Sequence, residues 1–157
     1  MEIIEVLIDG LEVKINKSKL HLIQDYKWKK STNSVGQIYF CCNKNRLHRL
    51  ITNCPKGYVV DHINGDTLDN TLQNLRICTI VQNIYNQKKH KGDRHSKYKG
   101  VTFRKNLVSK PWEAFIYCGG ISKRLGYFAT EKEAAAAYNK AAITAYGEFA
   151  KLNFLEE

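Results

Sequence analysis

The chain is 157 residues long and carries 25 Lys and Arg against 15 Asp and Glu, a net charge of +10 and a pI near 9.4. That length holds one domain, or two small ones that need each other or a ligand to be stable. No apolar run approaches the roughly 18 residues of a membrane span, and the acidic start MEIIEVLIDG is unlike a signal peptide. The five cysteines (Cys41, Cys42, Cys54, Cys78 and Cys118) are odd in number and lack C-x-x-C spacing, which argues against a disulfide framework or a zinc ribbon. Buried, reduced thiols in a soluble protein of the cytoplasm are the expectation.

From the N-terminus, EIIEVLIDGLEVKI alternates apolar and polar residues around Asp9-Gly10, which predicts a β-hairpin. KSKLHLIQDYKWKK follows as a short helical or irregular stretch. A strand is expected over Gln37 to Cys42, a turn over Asn43 to Asn45, then a second strand-like apolar run that contains His48. KGYVVDH is the third such run and ends on Asp61 and His62. INGDTLDNT has the Gly, Asp and Asn content of a turn or Ω-like loop, with Asp69 and Asn70 read as turn formers. NLRIC can return as a strand. Thr79 and Gln82 then make a T-x-x-Q capping box that opens a helix and puts Asn83 on its first turn.

A basic connector comes next. From Ile84 to Lys105 eight Lys and Arg stand against Asp93 alone, as a segment contacting phosphates would. A merely solvated linker has the same composition; an anionic membrane would attract it too, but no amphipathic apolar face accompanies the run. Beyond it YKGVTFR, PWEAFIYCG and ISKRLGYF alternate as three strands, with turns at Ser109 to Pro111 and at Gly119-Gly120. Thr130 and Glu133 form a second capping box, opening a helix to about Tyr146 with Gly147 as its C-cap. The alanines of that helix leave little bulk, so it can lie close against a sheet. No internal repeat joins the two halves.

If Val59-Val60 is a buried strand, Asp61 and His62 emerge at its end, and the returning strand and helix bring Asn83 back to them. A carboxylate oxygen and an amide oxygen are hard ligands suited to Mg²⁺, and a histidine beside them can take a proton from water near neutral pH. Together they would serve phosphodiester hydrolysis. An EF-hand loop starting at Asp61 is excluded because its third position is Ile63. On spacing alone, a plain turn held by hydrogen bonds is the stronger reading.

DHINGDTLDNTLQNLRICTIVQN, with HRL upstream and N-L-R within it, resembles the HNH (ββα-metal) nuclease motif in the version carried by phage and intron-encoded homing endonucleases, from about Leu47 to Asn86. The resemblance implies that Asp61 is a metal ligand, His62 the general base, Asn74 the asparagine that braces the loop and orients the histidine, and Asn83 the second metal ligand. Asn83 stands where many HNH nucleases have His; a neutral amide binds transition metals less strongly than imidazole, which favours Mg²⁺, with Mn²⁺ as a substitute. His48 and Arg49 of HRL either contact substrate phosphate or brace the site.

The segment from Lys97 to Phe154, with Y-x-G-V, W-x-A-x-I, L-G-x-F, an A-A-x-A-Y helix and a closing L-N-F, is similar to the Apetala-two or ethylene-response-factor type of DNA-binding domain. That family lays a three-stranded sheet in the major groove. The resemblance implies a groove-facing set of Thr102, Arg104, Lys105, Tyr117, Lys123 and Arg124, with the arginines able to pair with guanine and Lys105 and Lys123 on phosphates; the charge of the connector separately puts Lys88, Lys89, Lys91 and Arg94 on phosphates. Several of these positions differ from the plant members, so the target sequence does not carry over. Trp112 fits either the core under the helix or the DNA face.

The expected fold is α+β: a ββα-metal module with a β-rich extension over residues 1–87, a linker over 88–96 and the DNA-binding domain over 97–154. The first forty residues either complete the nuclease core or add a DNA contact. The expected activity is metal-dependent cleavage of double-stranded DNA by a homing or mobile-element enzyme, with no obligate protein partner and no membrane. Two alternatives remain: a DNA-binding regulator that keeps an inactive HNH scaffold, and an RNA-binding protein, which would show a stacking platform that this sequence lacks.

Overall fold

A computed structural model describes residues 1–89 and 96–155 of the protein. It is an α+β chain of small antiparallel sheets and few helices, in two compact units, residues 1–84 and 85–157.

In the first unit, β1 (Ile3–Ile8) and β2 (Leu11–Asn16) form the expected hairpin, with Ile8 opposite Leu11. Asp9 and Gly10 both have positive φ, 49° and 80°, as the two-residue turn matching strand twist requires. A 3₁₀ turn at Lys17–Leu22 leads to β3 (Lys29–Thr32), β4 (Ile38–Cys42) and the two-residue β5 (Asn45–Arg46), paired in that order.

The run containing His48 is not a strand but the short helix α1 (Leu47–Thr52). Its buried residues Leu47, His48 and Ile51 fall on one helical face, and Asn53 stops it in the left-handed conformation (φ 49°, ψ 46°) two residues before Pro55. β6 (Val59–His62) and β7 (Leu75–Cys78) pair antiparallel, and α2 (Ile80–Asn86) follows. The Thr79–Gln82 box is formed: Gln82 N donates to Thr79 Oγ1 (3.2 Å) and Thr79 N to Gln82 Oε1 (2.9 Å).

The core of this unit joins Val13, Ile15, Trp28, Phe40, Leu47, Ile51, Val60 and Leu75. The N-terminal hairpin therefore completes the core on which β6 and β7 sit, the first of the two roles considered for it.

In the second unit β8 (Val101–Phe103), β9 (Trp112–Cys118) and β10 (Ile121–Phe128) form a sheet ordered β10-β9-β8, with a positive-φ Gly119-Gly120 turn. α3 (Glu131–Tyr146) opens on the Thr130–Glu133 capping box and closes at Gly147. Ala134, Ala135 and Ala142 are fully buried, so the helix lies close on the sheet over Ala114 and Ile116. Trp112 packs into this core and meets Phe103 edge-on at 4.9 Å, the core role rather than the DNA-facing one.

The end of α2 belongs to this unit: the Tyr85 ring stacks on Tyr146 at 3.9 Å, and Lys99 Nζ donates to the Tyr85 and Gln87 carbonyls at 2.7 Å. All five cysteines are free thiols, but only Cys78 is buried as expected; Cys41, Cys42 and Cys54 are half-buried and Cys118, at the end of β9, is exposed. Among the described residues no helix is long and apolar enough to cross a membrane.

Gly100 has φ +71°, and a Cβ there would strike the Tyr138 ring and come within 2.6 Å of the Phe115 carbonyl oxygen. Gly119, at φ +61°, faces open space. Gly100→Ala should therefore destabilise the second unit by about 3 kcal/mol, the left-handed backbone cost plus overpacking, and Gly119→Ala by only about 1 kcal/mol. Thermal and urea unfolding of the two variants checks this ordering.

Candidate active site

β6 delivers Asp61 and His62 side by side, and strand alternation sends them to opposite faces. Asp61 lies directly across from Arg76 on β7. Its side chain is only 6% exposed, and a buried carboxylate needs a charged partner. Arg76 supplies one: Nε (2.9 Å) and Nη2 (2.7 Å) both reach Asp61 Oδ2.

His62 is buried against two rings, His48 at 5.4 Å and Tyr39 at 6.2 Å between centroids. Its Nε2 lies 3.3 Å from Asn70 Oδ1. Because the Asn70 amide nitrogen donates to the Thr67 carbonyl (3.0 Å), its oxygen is the atom facing the ring. This network assigns the proton to Nε2 and leaves the lone pair on Nδ1. Burial lowers the His62 pKa below its ordinary value, against the raising influence of the Asn70 bond and of Asp61, Asp66 and Asp69. His62 is thus a neutral imidazole at physiological pH. Burial acts more strongly on His48 and pushes its pKa down to about 3, helped by His62, Arg46 and Arg49.

The loop between β6 and β7 has no helix or sheet of its own. Asn74 spans it: Oδ1 accepts from Asn64 N (2.9 Å), Nδ2 donates to Asp69 O (2.8 Å), and its carbonyl accepts from Ile63 N (2.9 Å). The hairpin holds it from the other side, where Lys14 N donates to Leu68 O (2.9 Å), Asn70 N to Lys14 O (2.8 Å) and Leu72 N to Asn16 Oδ1 (2.7 Å).

The structure thus brings Asp61, His62 and Asn74 into one loop-and-strand assembly, with the histidine's bond coming from Asn70 rather than Asn74. Asn83 lies on the first turn of α2, its backbone N–H bonded to Thr79 O at 3.0 Å. Of the residues of HRL, His48 is buried, and the Arg49 guanidinium donates to the carbonyls of Tyr58 (2.7 Å), Cys54 (3.2 Å) and Pro55 (3.1 Å), contacts that brace the chain before β6.

Of the residues expected on nucleic acid, Lys88 is exposed, whereas Lys89 Nζ donates to Ser96 O at 2.7 Å; Lys91 and Arg94 lie outside the described residues. On the sheet side away from α3, Thr102, Glu113 and Tyr127 align across the three strands, Arg124 stands opposite Phe115, and exposed Tyr117 opposite Ser122. Lys105 is exposed just beyond Arg104. Lys123 differs from the expectation, because it pairs opposite Ile116 and so lies on the α3 side of the sheet.

Sequence reasoning missed Tyr39, Asn70, Arg76 and Glu113. Only Arg76 had a signal, as the last residue of N-L-R; the others are chosen by who their neighbours are in space.

Among the described residues no three His, Cys, Asp or Glu side chains converge as a metal cluster would. The donors at hand, a carboxylate and amide oxygens, suit a hard cation that keeps waters and substrate oxygens in its shell, and do not suit zinc.

Residues 46–85 match the HNH endonuclease family. The chain is similar to an uncharacterised HNH endonuclease of Acanthamoeba polyphaga mimivirus, at 29% identity over 148 residues, 90% of this chain and 74% of that protein. It is also similar to Protein 3.8 of Escherichia phage T7, at 41% identity over 51 residues, 32% of this chain; there the chain spans 41% of the relative's length. No solved structure matches the chain.

His48 folds with its pKa lowered from 6.5 to about 3, so the unfolded chain binds the extra proton between these values and folding stability falls as pH drops from 6.5 towards 3. His62 acts in the same direction. His48→Phe should flatten this part of the stability profile without abolishing it, as denaturant titrations at a series of pH values would show.

Proposed function

We propose that the chain is a metal-dependent DNA endonuclease of the homing or mobile-element kind, hydrolysing phosphodiester bonds in double-stranded DNA, with the second unit as a sheet-type DNA-binding domain that selects the site. The observation that carries this reading is His62, a buried imidazole held at Nε2 by Asn70, next in sequence to a buried carboxylate, inside the 46–85 segment matched to HNH endonucleases. The name of the mimivirus relative agrees with it.

In the proposed reaction His62 Nδ1 takes a proton from water as its oxygen forms a bond to the scissile phosphorus, and the bond to the leaving sugar oxygen breaks on the opposite side. Asn70 holds the ring by its Nε2–H, so the base neither rotates nor changes tautomer during proton transfer. Asn74 fixes the loop that carries Asn70, keeping the base within the narrow geometry that catalysis tolerates. Arg76 fixes the Asp61 carboxylate, and Asp61 with Asn83 would hold Mg²⁺. When bound, that cation supplies charge stabilisation to the phosphate and the leaving oxygen.

The exposed arginines and Tyr117 of the second unit, with Lys88, Lys105 and the remaining connector cations, supply affinity and register, which lets a weak catalytic unit act at a chosen site.

Supercoiled plasmid incubated with Mg²⁺ should be nicked or linearised by the wild type. The reaction should stop in EDTA and slow by about 10²–10⁴-fold in His62→Ala, the range of a general base, with duplex binding retained. Duplex binding without cleavage by any of the proteins would refute the nuclease and favour a regulator that keeps an inactive scaffold.

A further inference from the structure

Glu113 is an acidic residue at the second position of the central strand β9, on the open side of the sheet, yet its side chain is only 5% exposed. Two guanidinium groups cover it. Arg104 Nε reaches Glu113 Oε2 at 2.5 Å and Arg124 Nε reaches Oε1 at 2.8 Å, so one carboxylate bridges both arginines, one oxygen to each. Both arginine side chains remain more than half exposed, at 52% and 61%, and among the described residues no Nη of either has a hydrogen-bond partner. Arg124 also lies over the Tyr127 ring, 5.1 Å from its centroid.

A buried carboxylate cannot be left unpaired, so this arrangement fixes two long side chains that would otherwise sample many rotamers on an open surface. The Nε edge of each is committed inward, and the terminal Nη fork points to whatever approaches the sheet. Glu113 also removes one positive charge from the face. That loss works against simple attraction to phosphates, which suits selection better than raw affinity.

We propose that Glu113 is a positioning residue that presets Arg104 and Arg124 as a rigid pair, so that this face discriminates among base sequences instead of holding DNA by charge alone. The inference rests on the reading of the second unit as a duplex-DNA-binding domain. A paired, preordered fork loses less freedom on meeting a base edge than a free arginine, and it is misplaced when the edge is wrong.

The test uses the full chain in EDTA, so that nothing is cut. A pool of duplexes with a randomised core is selected on the wild type, and dissociation constants are measured for the selected duplex and a scrambled one across a salt series. The wild type should favour the selected duplex. Glu113→Gln should lower that preference by about tenfold or more, the worth of one good bidentate contact, and bind the scrambled duplex equally well or more tightly. Its salt slope should steepen by about 0.9 for the released charge.

Arg104→Lys with Arg124→Lys keeps the charge, loses the fork and should show the same loss of preference, which covers the case in which Glu113→Gln does not fold. An unchanged preference in either folded variant overturns the proposal. So does an equal weakening on both duplexes accompanied by a lower melting temperature, the mark of a purely structural pair. Failure of the wild type to bind or select any duplex overturns it at a different point, the DNA-binding reading itself.

Discussion

Residues 63–74 connect β6 to β7 with no ladder or helix of their own, so their conformation depends on side-chain amides and borrowed backbone bonds. Asn74 ties the two ends of that loop together, Asn16 and the Lys14 backbone clamp it to the hairpin, and Asn70 passes the constraint to the ring of His62. A backbone polar group buried without a partner costs about as much as a lost hydrogen bond, so each of these contacts is close to obligatory. The position of the candidate base is thus set by a chain of amides that begins in β2.

Burial then decides the charge state of what the loop holds. His62 and His48 are kept neutral because an imidazolium in that interior would lose its hydration, and the two rings would repel if both were charged. Asp61 on the other face of β6 stays paired with Arg76. One strand therefore presents a buried imidazole and an arginine-paired carboxylate at successive positions, because alternation sends them into different surroundings.

The second unit applies the same rule to a different end. Glu113 is tolerated on the central strand because Arg104 and Arg124 close over it, just as Asp61 is tolerated because of Arg76. In both places a buried carboxylate organises arginines, and the small Ala-rich helix behind the sheet leaves the opposite side open. Affinity for DNA on that side would come from cations and aromatic surface rather than from a cavity.

The parts of the structure legible in the sequence are those set by near neighbours along the chain. The Asp9-Gly10 and Gly119-Gly120 turns follow from backbone preference, both capping boxes from a three-residue reach, and Asp61 and His62 from the end of an apolar run. The sequence by itself determined these, together with the α+β character and the basic balance of the chain. Only the tertiary structure decided that the run around His48 is a helix, because its apolar spacing satisfies two periods until Phe40 and Val60 pack against one face. The same holds for Asn70, which as a sequence is one more turn residue and becomes the partner of His62 once the hairpin pins its loop. Glu113 and Lys123 sit on faces fixed by register, and register depends on which strand lies alongside. Local geometry can be read from a few adjacent residues; the identity of a buried group's partner cannot, because that partner comes from elsewhere in the chain.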